Sequence, residues 1–157
     1  MTSELDALLD HASIDRLQRA YADGVTRRDW EQVRGLFLPD ATISLDLVTR
    51  PAVQLAGPKA LTDFVSTALE SFSFFQFVIL NSHIEPSAVD PAAAKARMFM
   101  SELRLKHGAS QREDTYGLYR DTYRKTDQEG YGGWRFASRW YRTVARFPDN
   151  EVFPLDP

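Results

Sequence analysis

The sequence contains no cysteine, which excludes disulfides, thiolate nucleophiles and cysteine-based zinc sites. It has only three histidines, His11, His83 and His107, and none lies at a metal-binding spacing from another. A glycine-rich phosphate loop and a Gly-x-Ser-x-Gly elbow are also missing. The sequence therefore predicts no metal site, no phosphate-binding loop and no nucleophile elbow of the Gly-x-Ser-x-Gly kind.

Basic charge is not in excess either, because the net charge is −3. A duplex nucleic-acid binder normally carries a basic face, so we predict no nucleic-acid partner. No apolar run approaches the roughly 20 residues of a membrane span, and residues 1–10 lack the basic start of a signal peptide. These absences predict a soluble, cytoplasmic protein with no membrane partner.

What the sequence does contain is enough apolar material for one core. The chain has 157 residues, the size of a single domain, and is 43% hydrophobic with ten Phe and six Tyr. We predict an N-terminal extension over residues 1–12, a domain over 13–147 and an irregular tail over 148–157. The aromatic residues supply bulky walls for a core or a pocket.

Three helices are predicted in the first half of the chain. Ser13 is a plausible N-cap for the first helix, which carries an apolar stripe at three- and four-residue steps. Asp29 resembles the start of a capping box for the second. Gly57 and Pro58 open the third, because proline is favoured at the first helical position.

The second half of the chain reads as strands. One short strand is predicted over residues 42–47, and four longer ones over residues 74–85, 95–107, 111–125 and 134–146. Strands joined by short turns pair antiparallel, so the four form a meander. Helices segregated from an antiparallel sheet define an α+β domain, and a curved sheet wrapped over helices leaves a pocket for a small molecule.

Several motifs narrow this fold class. In their order and spacing they resemble SnoaL-like proteins of the nuclear-transport-factor-two-like superfamily, particularly the scytalone-dehydratase-like and bile-acid-dehydratase-like branches. They lie at residues 21–30, 36–41, 57–61, 81, 119–123, 133–136 and 139.

The resemblance implies a cone-shaped α+β barrel of the cystatin-like kind, with N-terminal helices packed on a curved, mainly antiparallel sheet around an apolar cavity. It also implies a homodimer or homotrimer that binds a small hydrophobic molecule. Enzymes of this kind are dehydratases, isomerases or cyclases that move protons on cyclic or polyketide-like substrates, usually without any cofactor.

The sequence differs from these dehydratases at two positions that would carry the chemistry. Dehydratases of these branches use an Asp–His pair, and the matching positions here are Thr26 and Phe77. A threonine hydroxyl cannot polarise a histidine as a carboxylate does, and phenylalanine transfers no proton. Two hypotheses stay open: a cofactor-independent lyase or isomerase that uses other residues, and a non-catalytic ligand-binding or accessory protein.

Three residues are candidates for the chemistry. Glu102 matches an acidic position in bile-acid-dehydratase-like proteins; the alternative is a solvated carboxylate paired with Arg104 or Arg120. Tyr21 matches a tyrosine whose hydroxyl points into the cavity; the alternative is core packing. His83 shares a strand face with Phe77 if side chains alternate regularly; the alternative is an exposed histidine at a strand end.

The residues expected to form the walls of the pocket come from the helices and strands around Tyr21, His83 and Glu102. They are Val25, Thr26, Phe64, Phe77, Ile79, Asn81, Met98 and Met100. The outer face of the sheet is expected to make the contact between subunits, with aromatic anchors at Tyr119, Tyr123, Trp140 and Tyr141. Arg139 and Arg142 are expected at the surface or in a salt bridge between subunits; the alternative is that they bind an anionic group on a ligand.

Overall fold

A computed structural model describes residues 3–155. The helices are α1 (Glu4–Arg27), α2 (Trp30–Gly35) and α3 (Gly57–Leu69). The strands are β1 (Phe37–Asp46), β2 (Val53–Ala56), β3 (Phe72–Pro86), β4 (Ala93–Lys106), β5 (Glu113–Lys125), β6 (Trp134–Phe147) and β7 (Glu151–Val152). Residues 1, 2, 156 and 157, the ends of the predicted extension and tail, lie outside the described residues.

Helix α1 begins ten residues earlier than predicted, so the assignment of Ser13 as its N-cap is wrong. Ser3 is the cap: its hydroxyl accepts a hydrogen bond from the Asp6 amide, and the Asp6 carboxylate accepts one from the Ser3 amide, both at 3.1 Å. This reciprocal pair satisfies two amides that a helix start leaves free. The region predicted as an extension is therefore largely helical and continuous with the rest of α1.

The other two helix starts are confirmed. The Asp29 carboxylate accepts a hydrogen bond from the Gln32 amide at 3.1 Å, which caps α2. Helix α3 begins at Gly57, with Pro58 in its first turn. No helix within residues 3–155 is both long enough and apolar enough to cross a membrane.

The sheet has the strand order β2-β1-β6-β5-β4-β3, with β7 paired to the end of β6. The meander from β3 to β6 is antiparallel as predicted, and β1 lies parallel to β6. The fold is α+β, with the helices packed on a curved, mainly antiparallel sheet. The sheet is open, because β2 and β3 are its edges, so the cone is not a closed barrel. Strand β7 corrects the prediction of a wholly irregular tail.

The inner face of the sheet carries the tyrosines that were expected on its outside. Tyr119, Tyr123 and Tyr141 are all nearly inaccessible and belong to the core with Tyr21 and Phe136. Their expected role as anchors between subunits is therefore wrong. Aromatic composition alone does not tell which face of a strand is covered.

Two arginines were also misplaced. Arg139 is 1% exposed and Arg142 is 8% exposed, so neither lies free on the surface. Arg139 pairs with Asp121 on the neighbouring strand, and Arg142 pairs with Asp46 on β1. Both ion pairs form within the chain, which corrects the expectation of solvated or intersubunit arginines.

Candidate functional site

A cavity of about 210 Å³ lies between α3 and the inner face of the sheet. Its apolar walls are Leu45, Leu47, Leu61, Phe64, Val65, Ala68, Leu69, Phe72 and Phe75. Its polar lining is Tyr21, Arg50, Glu102, Arg104, Thr115, Tyr119, Tyr141, Thr143 and Arg146. An apolar cavity of roughly 150 Å³ is enough to bind benzene in another protein, so this cavity suits a ligand built on one or two rings.

Glu102 lies in the wall of this cavity. Strand β4 alternates regularly, so Glu102 shares the inner face with Met98 and Met100, and its neighbours across the sheet are Phe77 and Thr115. Burial raises the pKa of the Glu102 carboxyl, and the guanidinium of Arg104, 3.4 Å away, only partly opposes this. A carboxyl group with a raised pKa in an apolar site is a stronger base than one in water.

Tyr21 reaches the cavity from α1. Its ring packs edge-on against Phe77 at a centroid distance of 5.5 Å and also contacts Phe37, Tyr119 and Phe136. Burial raises the pKa of the Tyr21 phenol. Tyr21 is thus both a core residue and a pocket residue.

Two further tyrosines line the cavity beside Glu102. Tyr119 and Tyr141 come from β5 and β6, and their rings lie 4.9 Å apart. Burial raises the pKa of both phenols, and the nearby charge of Glu102 adds to the rise. All three tyrosines therefore stay protonated near neutral pH and can donate hydrogen bonds to a ligand oxygen.

Gly117 makes room for one of these rings. A Cβ atom at position 117 would come within 2.2 Å of Cε2 of Tyr141, so the ring lies directly over the glycine. We expect Gly117→Ala to lower the free energy of unfolding by about 1–3 kcal/mol, the usual cost of overpacking. Urea unfolding measures this, with Gly35→Ala as the control because nothing lies within 4 Å of that Cβ. Equal stability of the two variants would contradict the packing argument.

Behind the tyrosines lies a buried ion pair. The Nε and Nη2 atoms of Arg139 each donate to a carboxylate oxygen of Asp121 at 2.8 Å, and both side chains are fully buried. The guanidinium carbon lies 4.1 Å from the ring centres of both Tyr21 and Tyr119. Arg139 therefore supports two pocket tyrosines from behind.

The network continues away from the pocket. The Tyr123 hydroxyl donates to Asp121 at 3.1 Å and accepts from Gln18 at 2.8 Å. Gln18 in turn accepts a hydrogen bond from Ser82 at 2.6 Å. This chain connects β3, α1, β5 and β6, so it fixes the helix against the sheet.

Thr26 and Phe77, the positions of the missing Asp–His pair, lie next to each other. The hydroxyl of Thr26 accepts a hydrogen bond from the Phe77 amide at 3.0 Å. Phe77 is 5% exposed and packs between Tyr21 and Tyr119, at ring-centre distances of 5.5 and 6.0 Å. The two residues thus bring a helix end and a strand together, but neither carries a group that transfers a proton near neutral pH.

Phe64 is the one expected wall residue that lines the cavity. Val25, Phe77, Met98 and Met100 are buried in the core, and Ile79 packs against it. Asn81 is exposed on β3. The cavity therefore lies closer to α3 than the sequence indicated. On the sheet it is lined by the C-terminal ends of β4 and β6 and by the N-terminal half of β5.

His83 does not face the cavity. Ile79 pairs with Met100 and Asn81 with Phe99, so Leu80 is an extra residue that forms a β-bulge. After the bulge, Ser82 and Ile84 face the core, while the His83 side chain is 59% exposed and its nearest acid is Glu85 at 3.9 Å. The assumption of unbroken alternation placed His83 wrongly.

Two pocket arginines were missed by the sequence analysis. Arg146 faces inward because Val144 is an extra residue in β6, between the pairs Thr143–Gly117 and Ala145–Tyr116. Arg50 belongs to the loop between β1 and β2, and its guanidinium carbon lies 5.9 Å from the ring centre of Phe64. Neither a bulge nor a loop contact leaves a periodic signal in the sequence.

Metal-ligating side chains are scattered. Across residues 3–155, no group of three or more histidine and acidic side chains is arranged to hold a metal ion.

These elements define a class of protein: an α+β cone whose helices and curved sheet form a small pocket lined by a partly buried carboxyl group and three phenols. Residues 6–140 match the family model of the SnoaL-like domain. The chain therefore belongs to the SnoaL-like domain family. A search of the curated proteins found no significant match.

Solved structures share the fold. A candidate scytalone dehydratase from Novosphingobium aromaticivorans has a TM-score of 0.77 and 22% identity, over 96% of this chain and 94% of that one. The hexachlorocyclohexane dehydrochlorinase LinA-type3 from Novosphingobium barchaimii has a TM-score of 0.76 and 19% identity, over 97% and 100%. A protein of unknown function from Mycobacterium tuberculosis has a TM-score of 0.72 and 21% identity, over 97% and 82%. Identities this low show a shared fold and no more.

Proposed function

We propose that this protein is a cofactor-independent lyase or isomerase that transfers a proton on a small hydrophobic ring compound. The observation that carries the proposal is Glu102, a carboxyl group with a raised pKa in a largely apolar cavity. The names of two proteins of similar fold, a dehydratase and a dehydrochlorinase, both describe eliminations and support the same class of reaction.

Glu102 acts as the general base in this proposal. Its ionised carboxylate takes a proton from a ligand carbon next to a carbonyl or next to a leaving group. The tyrosine hydroxyls of Tyr21, Tyr119 and Tyr141 donate hydrogen bonds to the oxygen on which negative charge develops. The apolar wall on the side of α3 excludes water, which strengthens these interactions.

The second candidate function is a non-catalytic ligand-binding protein, favoured by Thr26 and Phe77 at the positions of the Asp–His pair. Their hydrogen bond is a structural contact that uses no titratable group. In that case the pocket binds its ligand and Glu102 is only a polar part of the wall. The two candidates differ in one measurable property, which is proton exchange on a bound ring compound.

The test uses 2-tetralone, a two-ring ketone with acidic hydrogens next to its carbonyl. In deuterated buffer, we expect the protein to accelerate the exchange of those hydrogens for deuterium above the buffer rate. The pocket base removes a proton from carbon, exchanges it with the solvent and returns a deuteron to the same carbon. Proton NMR follows the loss of the signal. Binding of the ketone without acceleration would favour the ligand-binding protein and overturn the enzyme proposal.

A further inference from the structure

The cavity has a charge opposite to that of the whole protein. The chain carries a net charge of −3. Among the residues that line the cavity, three are arginines, Arg50, Arg104 and Arg146, and Glu102 is the one acid. A local excess of positive charge in a largely apolar pocket favours a ligand that carries negative charge.

Two of these arginines have carboxylate neighbours within the protein. Arg104 lies 3.4 Å from Glu102 and 3.6 Å from Glu113. Arg146 lies 3.6 Å from Glu151 and donates to the carbonyl of Leu47 at 2.7 Å. Their positive charge is partly neutralised, so they are not the principal binding group for an anion.

Arg50 differs from them, because no acidic side chain within residues 3–155 makes an ion pair with it. It is exposed and still lines the cavity, so it lies at the mouth. Its guanidinium rests 5.9 Å from the ring centre of Phe64, a wall residue of the same cavity. This contact holds the charge beside the apolar interior and leaves the guanidinium edge available to a ligand.

The loop that carries Arg50 has a defined shape. Val48 has a left-handed backbone with φ of 67°, which is uncommon for a β-branched residue. The Asp46 carboxylate accepts from the Val48 amide, and the Leu47 carbonyl accepts from the Thr49 amide, at 2.9 and 2.8 Å. Arg50 therefore follows a tight turn that these bonds fix next to the cavity.

We propose that the ligand of this cavity is a small ring compound with a carboxylate group, and that Arg50 binds the carboxylate at the mouth while the ring occupies the apolar interior. The proposal rests on the proposed function for the ring and adds the charge of the substrate. It makes Arg50 the residue that selects anionic over neutral ligands.

The test compares two probes of one shape, cinnamate and cinnamamide, by isothermal titration calorimetry at neutral pH and low ionic strength. We expect cinnamate to bind roughly tenfold more tightly, because a charge-assisted hydrogen bond adds affinity that the amide lacks. Arg50→Gln should abolish this preference by lowering the affinity for cinnamate far more than the affinity for cinnamamide, and Arg50→Lys should keep part of it. Arg97→Gln, an exposed arginine of β4 outside the cavity lining, is the matched control and should change neither affinity.

Equal affinity for the two probes, or an unchanged preference in Arg50→Gln, would overturn the proposal, and so would a failure of both probes to bind. Binding is measured without turnover, so its outcome is separate from that of the proton-exchange assay. Exchange on 2-tetralone with no preference for cinnamate would leave the enzyme proposal standing and remove only the carboxylate. A preference for cinnamate without exchange would support an anion-binding protein that does no chemistry.

Discussion

Replacing Arg139 with methionine is expected to lower the free energy of unfolding by about 3–5 kcal/mol, the range measured when one partner of a buried ion pair is removed. The variant leaves the Asp121 carboxylate fully buried without its guanidinium partner, although the Tyr123 hydroxyl still donates to it. It also removes the guanidinium that contacts Tyr21, Tyr119 and Phe136. Urea unfolding followed by tryptophan fluorescence measures the loss.

A double variant separates the charge from the packing. Arg139→Met combined with Asp121→Leu removes both charges, so no buried carboxylate remains without its cation. Buried ion pairs replaced by apolar residues are often neutral or stabilising, and we expect the double variant to be clearly more stable than Arg139→Met alone. A double variant as unstable as the single one would show that packing against the tyrosines, rather than the charge, is what Arg139 contributes.

The local signals of the sequence were sufficient for most of the fold. Asp29 and Pro58 act within one helical turn, so their effect does not depend on distant residues, and both helix starts were predictable. The long strands are joined by short turns, so their pairing followed from the order of the chain. Helix α1 was misjudged because its capping box uses Ser3 and Asp6, inside a segment whose acidic composition resembles an extension.

The site was predictable only where a strand is regular. Alternation along β4 correctly placed Glu102 on the inner face with Met98 and Met100. The same reasoning failed on β3, where Leu80 reverses the facing of every later residue and places His83 in solvent. Bulges have no reliable sequence signal in a single chain, because they depend on how two strands pair.

The remaining site residues depend on tertiary structure alone. Arg50 reaches the pocket from a loop, and Arg139 is buried only because Asp121 lies opposite it on the next strand. Most arginines in proteins are exposed, but this tendency does not hold for an arginine that makes two hydrogen bonds to one carboxylate. The burial of Arg139 could be predicted only by knowing that β5 and β6 place Asp121 opposite it.

Glu102→Gln is expected to reduce the exchange of 2-tetralone at least tenfold, which corresponds to ~1.4 kcal/mol of activation free energy. Gln has nearly the same shape as Glu, but its amide does not accept a proton. Glu85→Gln is the matched control, because Glu85 lies outside this cavity and pairs only loosely with Lys95 at 3.8 Å. Unchanged exchange in Glu102→Gln would remove Glu102 from the mechanism.

The same substitution is expected to stabilise the protein at neutral and alkaline pH. Burial raises the pKa of Glu102 in the folded state above its ordinary value of 4.5, so the folded protein binds this proton more tightly than the unfolded chain does. The contribution of Glu102 to stability is therefore fully present below pH 4.5 and is lost as the pH rises through the folded pKa.

Glutamine carries no charge at any pH, so Glu102→Gln escapes that loss. Its melting temperature should exceed that of the wild type at pH 8, and the difference should disappear towards pH 4. Wild-type exchange should follow the opposite course, rising with pH as Glu102 ionises, because only the carboxylate is a base. The charge that destabilises the folded state is then the charge that does the chemistry. A variant that is less active but no more stable at pH 8 would contradict the raised pKa and, with it, the reason for choosing Glu102 as the base.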